Sequence, residues 1–179
     1  MTKRVSYIIF ILLVSAKLFG QDKLSKADRI NLYAYQIDTV KTKIDSFKFS
    51  FDSIQVDVKT RNNKIATTNF FEKSKSRLTV DYYFKDNELV LINVVEQCPQ
   101  FDDLHSYSVF YYDKEKLIAE KYRHTIRPCL AIPMDKNIYE LYGYNPALNS
   151  EFLKVFVVRL LKKIKTTGNN SLAQWRVKY

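Results

Sequence analysis

The chain has 179 residues, of which 46% are hydrophobic, and only three glycines and four prolines, which excludes a disordered, collagen-like or loop-dominated protein. Its formal net charge is +10, from 29 basic and 19 acidic residues. The 13 tyrosines and 12 phenylalanines favour β-strands, where rings pack across neighbouring strands. The composition therefore indicates a folded domain that is rich in strands.

The first twenty residues have the pattern of a cleavable export signal. Lys3 and Arg4 precede an uncharged, largely apolar run over residues 5–16, and small residues follow it. That run is shorter than the roughly 20 residues that a membrane-spanning helix needs. We therefore expect residues 1–20 to be removed and residues 21–179 to form a single domain. Its expected location is secreted or periplasmic, without a transmembrane anchor.

A helix is predicted near the start of the mature chain. Apolar residues from Ala27 to Phe47 recur at steps of three or four, which places them in one stripe along a helix. Ser25, with Asp28 three residues later, is a start signal for this helix. The alternating phenylalanines that follow predict a change to strand between Phe47 and Gln55.

Three hairpins in series are predicted over residues 54–127. Apolar residues recur there at every second position, as in strands, and three polar corners mark the turns, at residues 61–64, 85–88 and 113–116. Asn and Asp suit such turns because they tolerate left-handed backbone angles. The segment from Leu89 to Val95 is apolar on both faces except for one asparagine, which predicts a central strand covered by helix.

The two cysteines, Cys98 and Cys129, predict one disulfide, since pairing is the simplest state of an even number of cysteines in an exported protein. The bridge would close a loop of about thirty residues and contribute roughly 3 to 4 kcal/mol. A zinc site formed by the same cysteines with His105 and His124 is the alternative, because two thiolates and two imidazoles can hold zinc tetrahedrally. Their spacings do not match a compact zinc finger, so no metal or other cofactor is expected.

Asp102 and Asp103, beside His105, are the candidates for acid–base chemistry, because neighbouring carboxylates can raise one another's pKa. Acidic residues in a loop between strands are equally explained by solubility. A chain with three glycines has no phosphate-binding loop and no glycine-framed serine nucleophile. No catalytic residue is therefore assigned. A small zinc-dependent or hydrolytic enzyme that uses Asp102, His105 and His124 remains the alternative function.

A second helix is predicted from Ala147 or Ser150 to Lys165, with its end near Gly168. Residues 151–179 carry seven basic residues and one acidic residue, so this end of the chain is strongly cationic. Five basic residues of the helix are candidate contacts for an anionic surface: Lys154, Arg159, Lys162, Lys163 and Lys165. The alternative is a solvated helix face. Nucleic acid is not an expected partner, because an exported protein seldom meets it and no recognition motif is present.

The export signal, the early helix and hairpins of the type Tyr-Tyr-Phe-x-Asp-Asn-x-Leu at residues 82–89 resemble small secreted bacterial proteins built on an antiparallel meander. The resemblance covers residues 1–125. It implies that fold, but it implies no activity and carries over no functional residue.

The sequence thus predicts an α+β protein in which an N-terminal and a C-terminal helix pack on one face of an antiparallel β-meander of about six strands. The tyrosines of the hairpins either fill the pleats of the sheet or, on an uncovered face, form a surface for extended peptide or sugar. The expected function is noncatalytic binding of a protein partner or an envelope component, through an exposed aromatic sheet face and the basic C-terminal helix. A structural accessory subunit is a further alternative.

Overall fold

The computed structural model describes residues 24–72, 74–125 and 141–168. In chain order these form helix α1 (Lys26–Thr39), strands β1 (Asp45–Phe51), β2 (Ile54–Arg61), β3 (Lys64–Phe71), β4 (Ser76–Lys85), β5 (Glu88–Gln97), β6 (His105–Asp113) and β7 (Lys116–His124), and helix α2 (Ser150–Thr167). Neither helix is long and apolar enough to cross a membrane. The predicted export signal, Cys129 and the C-terminal tail lie outside the described residues.

All seven strands form one sheet in the order β1 to β7, and every neighbouring pair is antiparallel. The predicted meander is therefore confirmed, and its three hairpins are β2–β3, β4–β5 and β6–β7. The additional strand is β1, in which Phe47, Phe49 and Phe51 pack against the core of the sheet. The three rings lie at alternate positions of a strand and so point to one face of the sheet. Helix α1 ends at Thr39, before the segment around Phe47 that its apolar spacing also fits.

The hairpin turns are tight, and several use left-handed backbone angles. Asp86 and Asn87 both have positive φ, at 52° and 66°, as in a type I′ turn. Lys114 and Glu115 adopt the same conformation, with φ of 47° and 70°. The polar corners predicted from the sequence are thus the turns, but the last one lacks the residue types that favour its backbone.

The main core lies on one face of the sheet, here called the α2 face. Its largest buried side chains from the strands include Tyr82, Phe84, Ile92 and Phe110, and α2 covers them with an apolar stripe. That stripe consists of Leu153, Phe156, Val157, Leu160, Leu161 and Ile164. The helix begins as predicted, because the Asn149 side chain accepts a hydrogen bond from the Phe152 N–H at 3.0 Å. It ends at Gly168.

The opposite face, here called the α1 face, is partly covered by α1. Ala34 and its neighbours on α1 pack against Tyr83, Leu91 and Tyr111, and the Tyr33 hydroxyl donates a 2.6 Å hydrogen bond to the Phe84 carbonyl. Adjacent residues of a strand point to opposite faces, so Tyr82 contacts α2 while Tyr83 contacts α1. The structure thus places one helix on each face, where the sequence predicts both on one face. The central strands are apolar on both sides and need cover on both.

Candidate functional site

A groove of about 630 Å³ opens between the first turns of α2 and the turns that join β1 to β2 and β3 to β4. Its wall is mainly apolar and includes Ile54, Phe71, Leu148, Phe152 and Phe156. Polar residues lie at its rim, among them Asp52, Glu72, Ser74, Asn145 and Arg159. The volume falls within the range of about 300–1,000 Å³ that is typical of small-molecule sites.

Three phenylalanine rings contribute to the groove wall. The Phe156 ring is stacked on Phe152, with 5.4 Å between centroids, and is tilted against Phe71 at 5.7 Å. Phe152 retains 39% of its surface exposure, although it lies on the helix that covers the core. A large exposed ring beside a cavity offers apolar contact area that the fold itself leaves uncovered.

Arg159 and Asp52 form an ion pair at the rim of the groove. The Arg159 guanidinium lies 2.8 Å from Asp52 Oδ2 and also lies over the Phe51 ring, 5.5 Å from its centroid. This contact joins the β1–β2 turn to α2. Because Arg159 and Asp52 neutralise each other, the pair does not select strongly for a charged ligand.

A buried carboxyl group lies behind the groove. Glu96 is only 4% exposed, and its Oε1 accepts a 3.1 Å hydrogen bond from the Asn145 N–H. Burial raises the pKa of Glu96 to about 7, although the hydrogen bond from Asn145 acts in the opposite direction. The side-chain amide of Asn145 in turn donates to Ser74 Oγ at 3.1 Å. Because Asn145 and Ser74 both line the groove, these hydrogen bonds connect Glu96 to the groove wall.

Sequence reasoning missed both the groove and Glu96. The one available signal is that Glu96 continues the alternation of Ile92 and Val94, which places a carboxyl group on a buried face. The groove itself is assembled from two turns, a loop and a helix that are distant in sequence, and no local pattern marks it.

His105 and His124, which both the predicted zinc site and the predicted acid–base site need, lie on opposite faces of the sheet. His124 pairs with Ser106 across β6 and β7 and shares its face, so His105, next to Ser106, points to the opposite face. Asp102 is exposed and accepts a hydrogen bond from the Gln97 amide at 3.1 Å. Within residues 24–72, 74–125 and 141–168, no three His, Cys, Asp or Glu side chains are placed to hold a metal ion.

Cys98 has a free, buried thiol in the structure, and its Sγ donates to the Tyr142 carbonyl at 3.2 Å. It packs with Leu104, Tyr142 and Tyr144 in a small cluster of its own. No disulfide is present among the described residues, and Cys129 lies outside them. The pairing of the two cysteines stays a prediction.

Several of the five basic residues predicted to contact an anionic surface have partners within the protein. Lys154 forms 3.0 Å ion pairs with Glu120 and Glu151, and Arg159 pairs with Asp52. The Lys165 ammonium lies over the Phe84 ring at 5.3 Å, and burial lowers its pKa to about 8 against the attraction of Glu115. Lys162 and Lys163 are exposed.

Most tyrosines of the hairpins fill the sheet. Tyr82, Tyr83 and Tyr111 are buried, and their hydroxyls bond to the Val157 carbonyl, to Asp38 and to Asn31. Tyr107 is half-buried and Tyr122 is exposed. An aromatic sheet face of the predicted extent is therefore not present in the described part of the chain.

The groove beside Phe152 thus combines a concave volume, an apolar wall and a polar rim, the features that small-molecule sites share. Comparisons of this chain with protein-family models, with curated proteins and with solved structures found no match.

Proposed function

We propose that this protein is an exported, noncatalytic binding protein that holds a small amphiphilic molecule in the groove. The apolar body of the ligand lies against Phe71, Phe152 and Phe156, and its polar head lies at the open rim. The groove of about 630 Å³ with an exposed phenylalanine at its mouth is the observation that carries this proposal.

The polar groups of the rim favour a head without negative charge, because the Glu72 carboxylate also lies there. Arg159 and Asp52 already satisfy each other, whereas the hydroxyl and amide groups of Ser53, Ser74 and Asn145 offer both donors and acceptors. A ligand with hydroxyl or amide groups beside an aliphatic or aromatic body matches this arrangement. Its apolar body supplies most of the binding free energy, and its head sets its orientation.

Alkyl glucosides of increasing chain length test this proposal. Isothermal titration calorimetry below the critical micelle concentration is expected to show roughly ten-fold tighter binding for each two added methylenes until the groove is full, because each buried methylene contributes about 0.8 kcal/mol. Ala147→Trp, which fills the groove from its lining, is expected to abolish binding. Val155→Trp is the matched control, since Val155 lies on the same helix, is 60% exposed and does not line the groove. An affinity that does not change with the length of the alkyl chain contradicts the proposal. An equal loss of affinity in the two variants contradicts it as well.

Export is tested separately from ligand binding. The pattern of residues 1–20 supports removal of a leader, so the mature protein recovered from a bacterial host is expected outside the cytoplasm with Lys17 or Gln21 at its N terminus. Recovery of the intact N terminus in the cytoplasm contradicts this part of the proposal.

The basic residues of α2 support a second contact, with an anionic surface of the envelope. Lys162 and Lys163 are exposed and can reach such a surface. Retention on vesicles of anionic lipid is expected to fall as salt rises, because screening weakens attraction between exposed charges. Retention that does not depend on salt contradicts this contact.

A further inference from the structure

The α1 face of the sheet is covered by α1 only near Tyr83, Leu91 and Tyr111. Farther along the strands, the side chains of this face are exposed or partly exposed. They include Thr68, Arg77, Gln97, His105, Tyr107 and Arg123, here called the open surface. Strand pairing places them side by side, since Arg77 pairs with Gln97, Gln97 with His105, and Tyr107 with Arg123.

The centre of the open surface is an arginine held on an aromatic ring. The Arg123 guanidinium lies 4.9 Å from the centroid of the Tyr107 ring, and the His105 ring lies 5.9 Å from the same ring. Contact with the ring limits the motion of the guanidinium, while the exposed Arg123 side chain keeps N–H groups accessible. An accessible guanidinium can donate two parallel hydrogen bonds to a carboxylate.

Positive charge on the open surface is not neutralised within the described residues. Neither Arg77 nor Arg123 forms an ion pair there. Among the carboxylates near this surface, Asp57 is paired with Lys48 at 3.2 Å and Asp102 accepts a hydrogen bond from Gln97. The two arginines lie three strands apart, which is about 14 Å across a sheet.

The open surface therefore offers two separated cationic sites with hydrogen-bonding side chains between them. We infer that it binds an acidic polysaccharide, whose carboxylates contact Arg77 and Arg123 and whose hydroxyls contact Thr79, Gln97 and their neighbours. This inference is independent of the ligand in the groove, which lies on the other side of the sheet beside α2.

The side chains of the open surface favour a polysaccharide over a lipid bilayer. A protein surface that enters a membrane needs several exposed apolar side chains. Phe70 is the one large hydrophobic residue near the open surface that is more than a third exposed in the described chain. Threonine and glutamine instead match the hydroxyl groups of a sugar, and Val95 and Tyr107 supply limited apolar contact for its ring.

Oligogalacturonate and its methyl ester are a matched pair of probes, because the ester keeps the sugar and removes the charge. Titration calorimetry with the purified protein is expected to show binding of the acid, weakened by rising salt, and no binding of the ester. Arg77→Gln combined with Arg123→Gln is expected to weaken binding at least ten-fold. Arg123→Lys is expected to weaken it several-fold, since lysine keeps the charge but loses the planar edge.

Lys41→Gln combined with Lys116→Gln is the matched control, because it removes the same charge from exposed positions outside the open surface and is expected to change affinity less than two-fold. Equal losses in the two double variants would show that net charge alone drives binding, and this overturns the inference. Binding of phosphatidylglycerol vesicles that depends on Arg77 and Arg123, without binding of oligogalacturonate, overturns it as well. Thermal unfolding of the Arg77 and Arg123 double variant monitors its fold without any ligand.

Discussion

Lys64 is a buried cation that joins α1 to the sheet. Its ammonium group lies 2.8 Å from both Asp38 Oδ1 and Asp81 Oδ2 and donates to the Tyr83 hydroxyl at 2.9 Å. Burial raises the pKa of Asp81, and Lys64 partly opposes that rise. A buried charge network of this kind depends on all of its members, because removal of one leaves its partners without a counter-charge.

Replacement of Lys64 is therefore expected to be costly. Lys64→Met should lower the free energy of unfolding by about 3 kcal/mol, since the carboxylate of Asp81 loses its nearest cation. Lys59→Met, at an exposed position on β2, should change it by less than about 0.5 kcal/mol. Urea unfolding at neutral pH measures both, and similar values for the two variants contradict a network that depends on Lys64.

Glu96 is expected to make stability depend on pH. Its pKa is about 7 in the folded protein and 4.5 without the fold, so the native state keeps a proton that the unfolded chain has lost. Stability should therefore fall as pH rises from about 4.5 to about 7 and stay level above that range. Glu96→Gln, which keeps the acceptor for Asn145, should remove most of this fall and raise stability at pH 8 by about 2 kcal/mol.

Unfolding curves at several pH values measure this effect, with Glu88→Gln as the control, because Glu88 is an exposed glutamate on the same strand. At pH 4 the Glu96→Gln variant and the wild type should have similar stability. If the variant keeps the full pH dependence of the wild type, the buried carboxyl group is not its source.

Among the elements, the turn between β6 and β7 has the least suitable sequence. Lys114 and Glu115 both adopt positive φ, a region in which side chains other than those of Gly, Asn and Asp are strained. Lys114→Asn with Glu115→Gly should therefore raise the free energy of unfolding by about 1 kcal/mol. Asp86→Asn with Asn87→Gly, in a turn that already has suitable residues, should have a smaller effect, and thermal unfolding compares them. A loss of stability in the first variant contradicts the argument from backbone strain.

The elements also show which local patterns can be read without the fold. The cap of α1 at Ser25, which accepts from the Asp28 N–H at 3.1 Å, and the cap of α2 at Asn149 were both visible as residue types at the right spacing. The length of α1 was not, because helical and strand periods overlap near Phe47. The pairing of β1 with β2 makes the segment around Phe47 a strand and not a continuation of the helix.

At the scale of the whole molecule, the cysteines give a test that is independent of the groove. Export predicts that Cys98 and Cys129 pair, so the mature protein should contain no free thiol and should lose about 3 kcal/mol of stability on reduction. Thiol titration in denaturant and mass spectrometry measure the pairing. Two free thiols would contradict the disulfide and would agree with the thiol contact of Cys98 to the Tyr142 carbonyl.

The sequence alone determined the order of the hairpins, their turns and the ends of α2, since each of these depends on residues that lie close together in the chain. Only the tertiary structure decided that α1 and α2 lie on opposite faces, that His105 and His124 are separated by the sheet, and that Phe152 borders a groove. Both faces of the central strands are apolar, so alternation shows that cover is needed but not which helix supplies it. That choice follows from contacts between residues far apart in the chain, such as the hydrogen bond from Tyr82 to Val157.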